Sequence, residues 1–330
     1  MENNIRPRVV ISKCIEFAYC RYNANIISSN IVRLLKDYVE FIPVCAEVEI
    51  GLGVPRDPIR IIQRDDDLKL VQSSTGLDLT FQMNKFATDF LNSLENVDGF
   101  ILKYKSPSCG TQHTPYLAST EKGAAKLGNG PGLFGKVVIE KYGILPIENE
   151  GRLRNFRIRE HFLTKLYTLA RFRKVKSSEK MKELVKFQTE NKFLLMAANQ
   201  VEMRKMGRIV ANQNKDSFKD VINNYEEKLL DILKFPPKFT SNINVLMHML
   251  GYFSKELTHE EKSYFLDELE KYRAGWIPLF VLIRLLKSWI IRFDQKYLKS
   301  QTFFNPYPEE LMMFDLKDTW RGRSYWNKSK

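Results

Sequence analysis

Apolar positions in the first 150 residues follow two rhythms. RVVIS (8–12), FIPVC (41–45), DGFILKYKS (98–106) and ILPIE (144–148) each hold a short apolar run of strand length, as expected for strands covered on both faces. Between them the spacing becomes helical. IVRLLKDY puts Ile31, Leu34, Leu35 and Tyr38 on one face of a helix that Ser28 or Ser29 can cap, and LTFQMNKFATDFLNSL (79–94) and LFGKVVIEKYG (133–143) repeat the pattern. This alternation predicts an α/β domain with a mainly parallel sheet. The aspartate-rich stretch after FIPVC reads as a polar connection.

From residue 151 the pattern is helical throughout, which predicts an all-α domain over 151–330 behind the α/β domain of 1–150. RIREHFLTKLYTLARFRK is an amphipathic basic helix, and SSEKMKELVKFQTENKFLLMAANQVEMRKMGRIVANQ gives one long helix or two, opened by a Ser/Glu capping signal. Pro236 and Pro237 interrupt the pattern, INVLMHMLGYFSKEL resumes it, and HEEKSYFLDELEKYRAG ends with basic residues and glycine. WIPLFVLIRLLKSWIIRF is interrupted by Arg284, Lys287 and Arg292, so it reads as a central core helix. No apolar run approaches the roughly 20 residues that span a bilayer.

Charge changes at the same place. Residues 1–150 carry 17 Lys and Arg against 18 Asp and Glu; the rest carries 35 against 21, so the net +13 belongs to the helical half. Basic residues interleaved with aromatics, as in LYTLARFRKVK, WIIRFDQKYLK and TWRGRSYWNKSK, suit phosphate contact with base stacking and make tRNA or another nucleic acid a candidate partner. Solvated faces of amphipathic helices produce the same pattern.

All four cysteines (Cys14, Cys20, Cys45 and Cys109) fall in the α/β half. The polar start MENNIRPR has no apolar stretch like a signal peptide's, which points to the cytoplasm, where disulfides rarely persist and clustered cysteines are more often metal ligands or catalytic groups. Cys14 follows the first predicted strand, Cys45 ends the second and Cys109 lies just past the third. In a parallel sheet these positions share the carboxyl edge, where ligands bind. Three thiolates gathered there would form a metal site, with Cys20 joining them or standing nearby. The alternative is a set of unrelated buried or loop cysteines. No C-x-x-C pair is present.

ISKCIEFAYCRYNA, PVCAEVEIGLGVPRDPIRI and LKYKSPSCG, in that order and followed by GLFGKVVIEKYGILPIENE, resemble the signature segments of the TudS-like thiouracil desulfidase family over about residues 7–150. FQTENKFLLMAANQ through NPYPEELM resembles the YbgA-type helical domain, whose role is not settled. The first resemblance implies a 4Fe-4S cluster held by Cys14, Cys45 and Cys109 with one iron open, and non-redox removal of sulfur from a small thiolated nucleobase or related thiocarbonyl compound. It also implies Glu47 and Ser106 as the catalytic pair, Glu47 for proton transfer and Ser106 for orienting water or substrate. Ser108 is a weaker candidate, and Glu49 does not match the motif.

Two departures stand out. Ala46 replaces the proline common in a C-P-E motif, and Asn23 and Ala24 replace the aspartate and glycine of R-Y-D-G, with Asn23 expected to make the left-handed turn. They leave cluster binding in place and bear on the substrate. Were Cys20 a fourth ligand, the site would be closed, and a structural or sensing cluster in a nucleic-acid-binding or regulatory protein would follow. GPGLFG (130–135) fits G-x-G-x-x-G but follows no predicted strand; it reads as a loop able to hold an anion beside the pocket. His113 is a lone loop histidine that could donate a proton.

Overall fold

The computed structural model describes residues 5–65 and 67–312, which form two compact units: one runs to Ala170 and takes in the segment from Tyr307, the other is Arg171–Pro306. Along the first unit come β1 (Arg8–Ser12), α1 (Asn30–Leu35), β2 (Glu40–Val44), α2 (Ala46–Glu49), β3 (Ile59–Arg64), β4 (Asp67–Gln72), α3 (Thr80–Ser93), β5 (Gly99–Leu102), β6 (Thr114–Leu117), β7 (Lys126–Gly130), α4 (Leu133–Tyr142) and β8 (Ile147–Asn149). The long helix α5 (Phe156–Ser178) leaves it for the second unit.

The four predicted strands make one all-parallel sheet in the order β2-β1-β5-β8, with Val9 opposite Gly99 and Ile11 opposite Ile101. Period-two alternation sorts its side chains between two cores. Val9, Ile11 and Ile101 pack with Ile31, Val32 and Leu35 of α1 and with Phe162, Leu163, Leu166 and Tyr167 of α5. Val10, Phe100 and Leu102 pack with Met83, Ala87 and Leu91 of α3 and Phe134 and Val138 of α4. The covering layer of α5 thus extends the compact unit past the charge boundary at residue 150.

The connection expected to be irregular holds α2 and the hairpin β3-β4 of a second, mixed sheet, ordered β4-β3-β6-β7. Ile59, Ile61 and Leu70 give this sheet an apolar face on the core that contains α3. Ser29 stands at the N-cap of α1, where its side chain makes no cap hydrogen bond.

The second unit is helical: α6 (Met181–Glu190), α7 (Lys192–Ala198), α8 (Gln200–Ala211), α9 (Phe218–Ile232), α10 (Phe239–Gly251), α11 (His259–Arg273), α12 (Leu279–Arg292) and α13 (Lys296–Lys299), while α14 (Glu309–Met312) belongs to the first unit. The stretch expected as one or two helices is three, because Asn191 and Asn199 interrupt it; Asn199 caps α8 by accepting from the backbone N–H groups of Val201 and Glu202. The expected Ser/Glu capping of α6 is absent, since its N-cap is Lys180 with no side-chain cap bond; a full capping box forms instead at α11 between Thr258 and Glu261. In α12, Leu282 and Leu286 are fully buried while Ile291 is 78% exposed, so it is an amphipathic helix and not a central one. TWRGRSYWNKSK lies outside the described residues. No helix among the described residues is long and apolar enough to cross a membrane.

The start of α4 is built against the turn Ser106–Gly110. A Cβ on Gly135 would stand 2.2 Å from the Gly110 carbonyl oxygen, and one on Gly132 would stand 2.5 Å from that of Ser108. Gly135→Ala is therefore expected to cost about 2 kcal/mol through backbone displacement. Gly53→Ala, which meets nothing closer than 3.9 Å, should stay within about 0.5 kcal/mol of wild type. Urea midpoints of the two variants test this.

Candidate metal centre and active site

Parallel strands deliver their ends to one edge, and each end here turns at a cysteine. β1 stops at Ser12, but the Lys13 N–H still donates to the Val44 carbonyl at 2.8 Å, so Cys14 leaves the sheet beside the end of β2. Cys45 is the N-cap of α2, its carbonyl accepting from Val48 and Glu49 at 3.0 Å. Cys109 sits in a turn closed by Gly110 N–H to the Ser106 carbonyl at 2.9 Å. The Ser106 hydroxyl oxygen accepts from the N–H groups of Ser108 and Cys109 at 3.3 and 3.1 Å.

The glycine-rich segment brackets this turn. Gly132, Leu133 and Gly135 donate their N–H groups to the carbonyls of Gly110, Pro107 and Ser108 at 2.8, 3.0 and 2.9 Å. These N–H groups are the ones a helix start could offer an anion. They are spent on the Cys109 turn, and that replaces the expectation that GPGLFG holds a ligand.

All four cysteines line one cavity of about 290 Å³, with Ser12, Lys13, Arg21, Tyr22, Glu47, Arg56, Lys103, Tyr104, Lys105 and Ser106 among its walls. Cys20, Cys45 and Cys109 are buried, Cys14 is half-buried, and no disulfide joins them. Cys20 hydrogen-bonds with the side chains of Cys14 and Cys45, and Cys109 with that of Ser12. The hydrogen bond with Cys14 is the largest influence pushing the Cys20 thiol up to about 11, with burial adding to it. Cys45 is raised chiefly by its hydrogen bond with Cys20 and then by burial, and Cys109 chiefly by burial.

Glu47 is the carboxylate on this wall. Arg56 Nε donates to its Oε2 at 2.9 Å, with Nη2 on the same oxygen, and the Ser108 hydroxyl donates to Oε1 at 2.8 Å. Ser108 is fully buried behind the wall, whereas Ser106 lines the cavity itself. Across the cavity Lys103 Nζ pairs with Glu150 at 2.5 Å, and Glu150 also accepts from the Tyr104 N–H at 2.9 Å. Lys13, Arg21 and Lys105 make no ion pair among the described residues.

This donor set fits an iron-sulfur cluster. Soft thiolates suit iron, and the surrounding cations offset the negative charge of a thiolate-bound cluster. The raised thiols are protonated on their own, so an incoming metal displaces their protons. Among the described residues no three His, Cys, Asp or Glu are closed around one point as single-ion ligands. A cluster asks for something different, since each thiolate binds a separate iron.

A family model described as 2-thiouracil desulfurase matches residues 9–150. YbbK of Bacillus subtilis (strain 168), itself uncharacterised, is 31% identical over 110 residues, covering 31% of this chain and 73% of that protein. The chain belongs to the 2-thiouracil desulfurase family. A helical unit follows this desulfurase domain: a model described as a protein of unknown function (DUF1722) matches residues 192–308. YbgA of Escherichia coli (strain K12), also uncharacterised, is 29% identical over 129 residues, 38% of this chain and 75% of its own. A solved structure titled [4Fe-4S]-dependent thiouracil desulfidase TudS is 23% identical at a TM-score of 0.36, over 45% of this chain and 94% of that one.

Among the residues singled out in the desulfurase sequence, Cys14, Cys45, Cys109, Cys20, Glu47 and Ser106 meet at the cavity. Glu49 does not line it, and His113 lines a different cavity. The left-handed turn of the departed motif falls on Ala24 (φ 55°), not on Asn23, so the alanine occupies the position where glycine is at ease. Arg56, Lys103, Glu150 and Ser12 were missed. Arg56 had a signal, an arginine between two prolines in GVPRDP, a short irregular segment that fixes where the side chain starts.

In metal-free protein at pH 8, the Cys20 thiolate fraction is roughly a hundredfold below that of an ordinary thiol, because its acid form is favoured up to about 11. Iodoacetamide should label it correspondingly slowly, with the rate still rising above pH 9; mass-spectrometric labelling rates check this.

Proposed function

We propose that the first unit hydrolytically removes sulfur from a thiolated nucleobase or related thiocarbonyl compound. The observation that carries this reading is the meeting of Cys14, Cys45 and Cys109, from three strand ends, with Glu47 and Ser106 on one cavity wall. Cys14, Cys45 and Cys109 would hold a 4Fe-4S cluster. When bound, such a cluster with an uncommitted iron supplies a soft Lewis acid for sulfur. The net change is water plus thiocarbonyl giving carbonyl plus hydrogen sulfide, so no electrons are transferred.

The chain's own groups supply the proton movements. Glu47 takes a proton from the water that attacks the thiocarbonyl carbon and returns it to the ring nitrogen or the departing sulfur. Ser106 keeps its hydroxyl proton available, because its oxygen only accepts from the turn, and it orients the water. Tyr22 and Tyr104 at the walls offer faces for a planar base, and Lys13, Arg21 and Lys105 suit an anionic carrier of that base. With the +14 balance of the helical half, this supports tRNA or another nucleic acid as the partner that presents the base. Four free thiols in one site belong in a reducing compartment, which favours the cytoplasm.

Anaerobically purified protein should be brown, bind about four irons per chain through its thiolates, change its visible spectrum on adding 2-thiouracil and release sulfide. Glu47→Gln should retain the iron and lose about a hundredfold or more in kcat. A protein that binds no iron after anaerobic reconstitution removes the reading. Mobility shifts with tRNA should weaken steeply with added salt; identical mobility with and without tRNA at low salt removes the nucleic-acid part alone.

A further inference from the structure

We infer that Arg56 is a positioning residue for this reaction: it fixes Glu47 against the cavity wall and fastens to the same point the loop that carries Cys20. The inference rests on reading Glu47 as the proton-transfer group. Arg56 joins three segments that are separate in sequence. Its backbone N–H donates to the Tyr22 carbonyl at 2.8 Å, and its Nη1 donates to the carbonyls of Cys20 at 3.0 Å and Gly53 at 3.1 Å. Nε and Nη2 hold Glu47 Oε2. The side chain is only 5% exposed, so these bonds face little competition from water.

A planar guanidinium can serve the carboxylate from one edge and two carbonyls from another; a lysine ammonium, a point charge on a flexible stem, cannot hold that fan of directions. Ser108 on Oε1 completes the arrangement, so both carboxylate oxygens are tied and the Glu47 rotamer is fixed. The Cys20 carbonyl also receives the Cys45 Sγ at 3.8 Å, so Arg56 shares this acceptor with one of the four thiols. Glu47→Gln would disturb the carboxylate and leave the carbonyl contacts of Arg56 in place. Loss of the guanidinium would free both the carboxylate and the loop.

The test uses full-length, anaerobically reconstituted Arg56→Gln and Arg56→Lys, with iron content, hydrogen exchange and steady-state kinetics measured on each. Arg56→Gln is expected to keep its iron, exchange faster in residues 18–24 and 46–52, and lose about tenfold to a hundredfold in kcat with KM little changed. Arg56→Lys should regain part of kcat, since it keeps the charge beside Glu47, while residues 20–22 still exchange fast. If Arg56→Gln loses its iron, Arg56→Lys carries the comparison. Wild-type exchange in both segments, or wild-type kcat in an active protein, would overturn the inference. A wild-type protein with no turnover would instead remove the proposed function, and the exchange arm would still decide whether Arg56 is the fastener.

Discussion

The Cys109 thiol stands where it does because helix α4 spends its first N–H groups on the turn that carries it. Three backbone hydrogen bonds of 2.8 to 3.0 Å run from Gly132, Leu133 and Gly135 to the carbonyls of Pro107, Ser108 and Gly110. Such an approach leaves no room for a Cβ at Gly132 or Gly135, and the turn itself leaves none at Gly110, where a Cβ would meet Thr114 Oγ1 and the Ser106 carbonyl. The glycines are thus a condition of the site although none bears chemistry. The same bracket sets Ser106 and Ser108 on opposite sides of the turn, one on the cavity wall and one behind it, against Glu47.

Gathering four thiols and a carboxylate raises an electrostatic problem that the surrounding cations answer. Cys20 and Cys45 are raised chiefly by hydrogen bonds with neighbouring thiols and Cys109 chiefly by burial, and each thiol that ionises in this space adds to the effect by opposing the ionisation of the next. Two of the five cations on the wall, Arg56 and Lys103, are committed to carboxylates, and both also hold backbone carbonyls of segments next to cysteines or to the Cys109 turn. They act as structural fasteners as well as charges. Lys13, Arg21 and Lys105 remain to face a negatively charged occupant.

The parallel sheet and its three cysteine-bearing ends were legible in the sequence because RVVIS, FIPVC and FIL are short apolar runs whose period and length admit little else. The hairpin β3-β4 was not, since in IRIIQRDDDLKLVQ the buried neighbours Ile61 and Ile62 and the charged residues hide the alternation of Ile59, Ile61, Leu68 and Leu70. Glu47 and Ser106 were named through the family resemblance of the cysteine-bearing segments in which they sit. Arg56 and Glu150 act through partners that only folding brings near, and no local pattern announces a contact such as Lys103 with Glu150, 47 residues apart. GPGLFG was legible as a glycine-rich helix start, but the sequence could not say that its N–H groups face a protein turn instead of a ligand.

A crystal structure of the anaerobically purified protein, with data collected at the iron absorption edge, tests the central claim most directly. The account predicts an anomalous iron peak in the cavity, bonded by Cys14, Cys45 and Cys109, with Glu47 still held between Arg56 and Ser108. Iron bound elsewhere, or cluster ligation that leaves out any of these three cysteines, would contradict it.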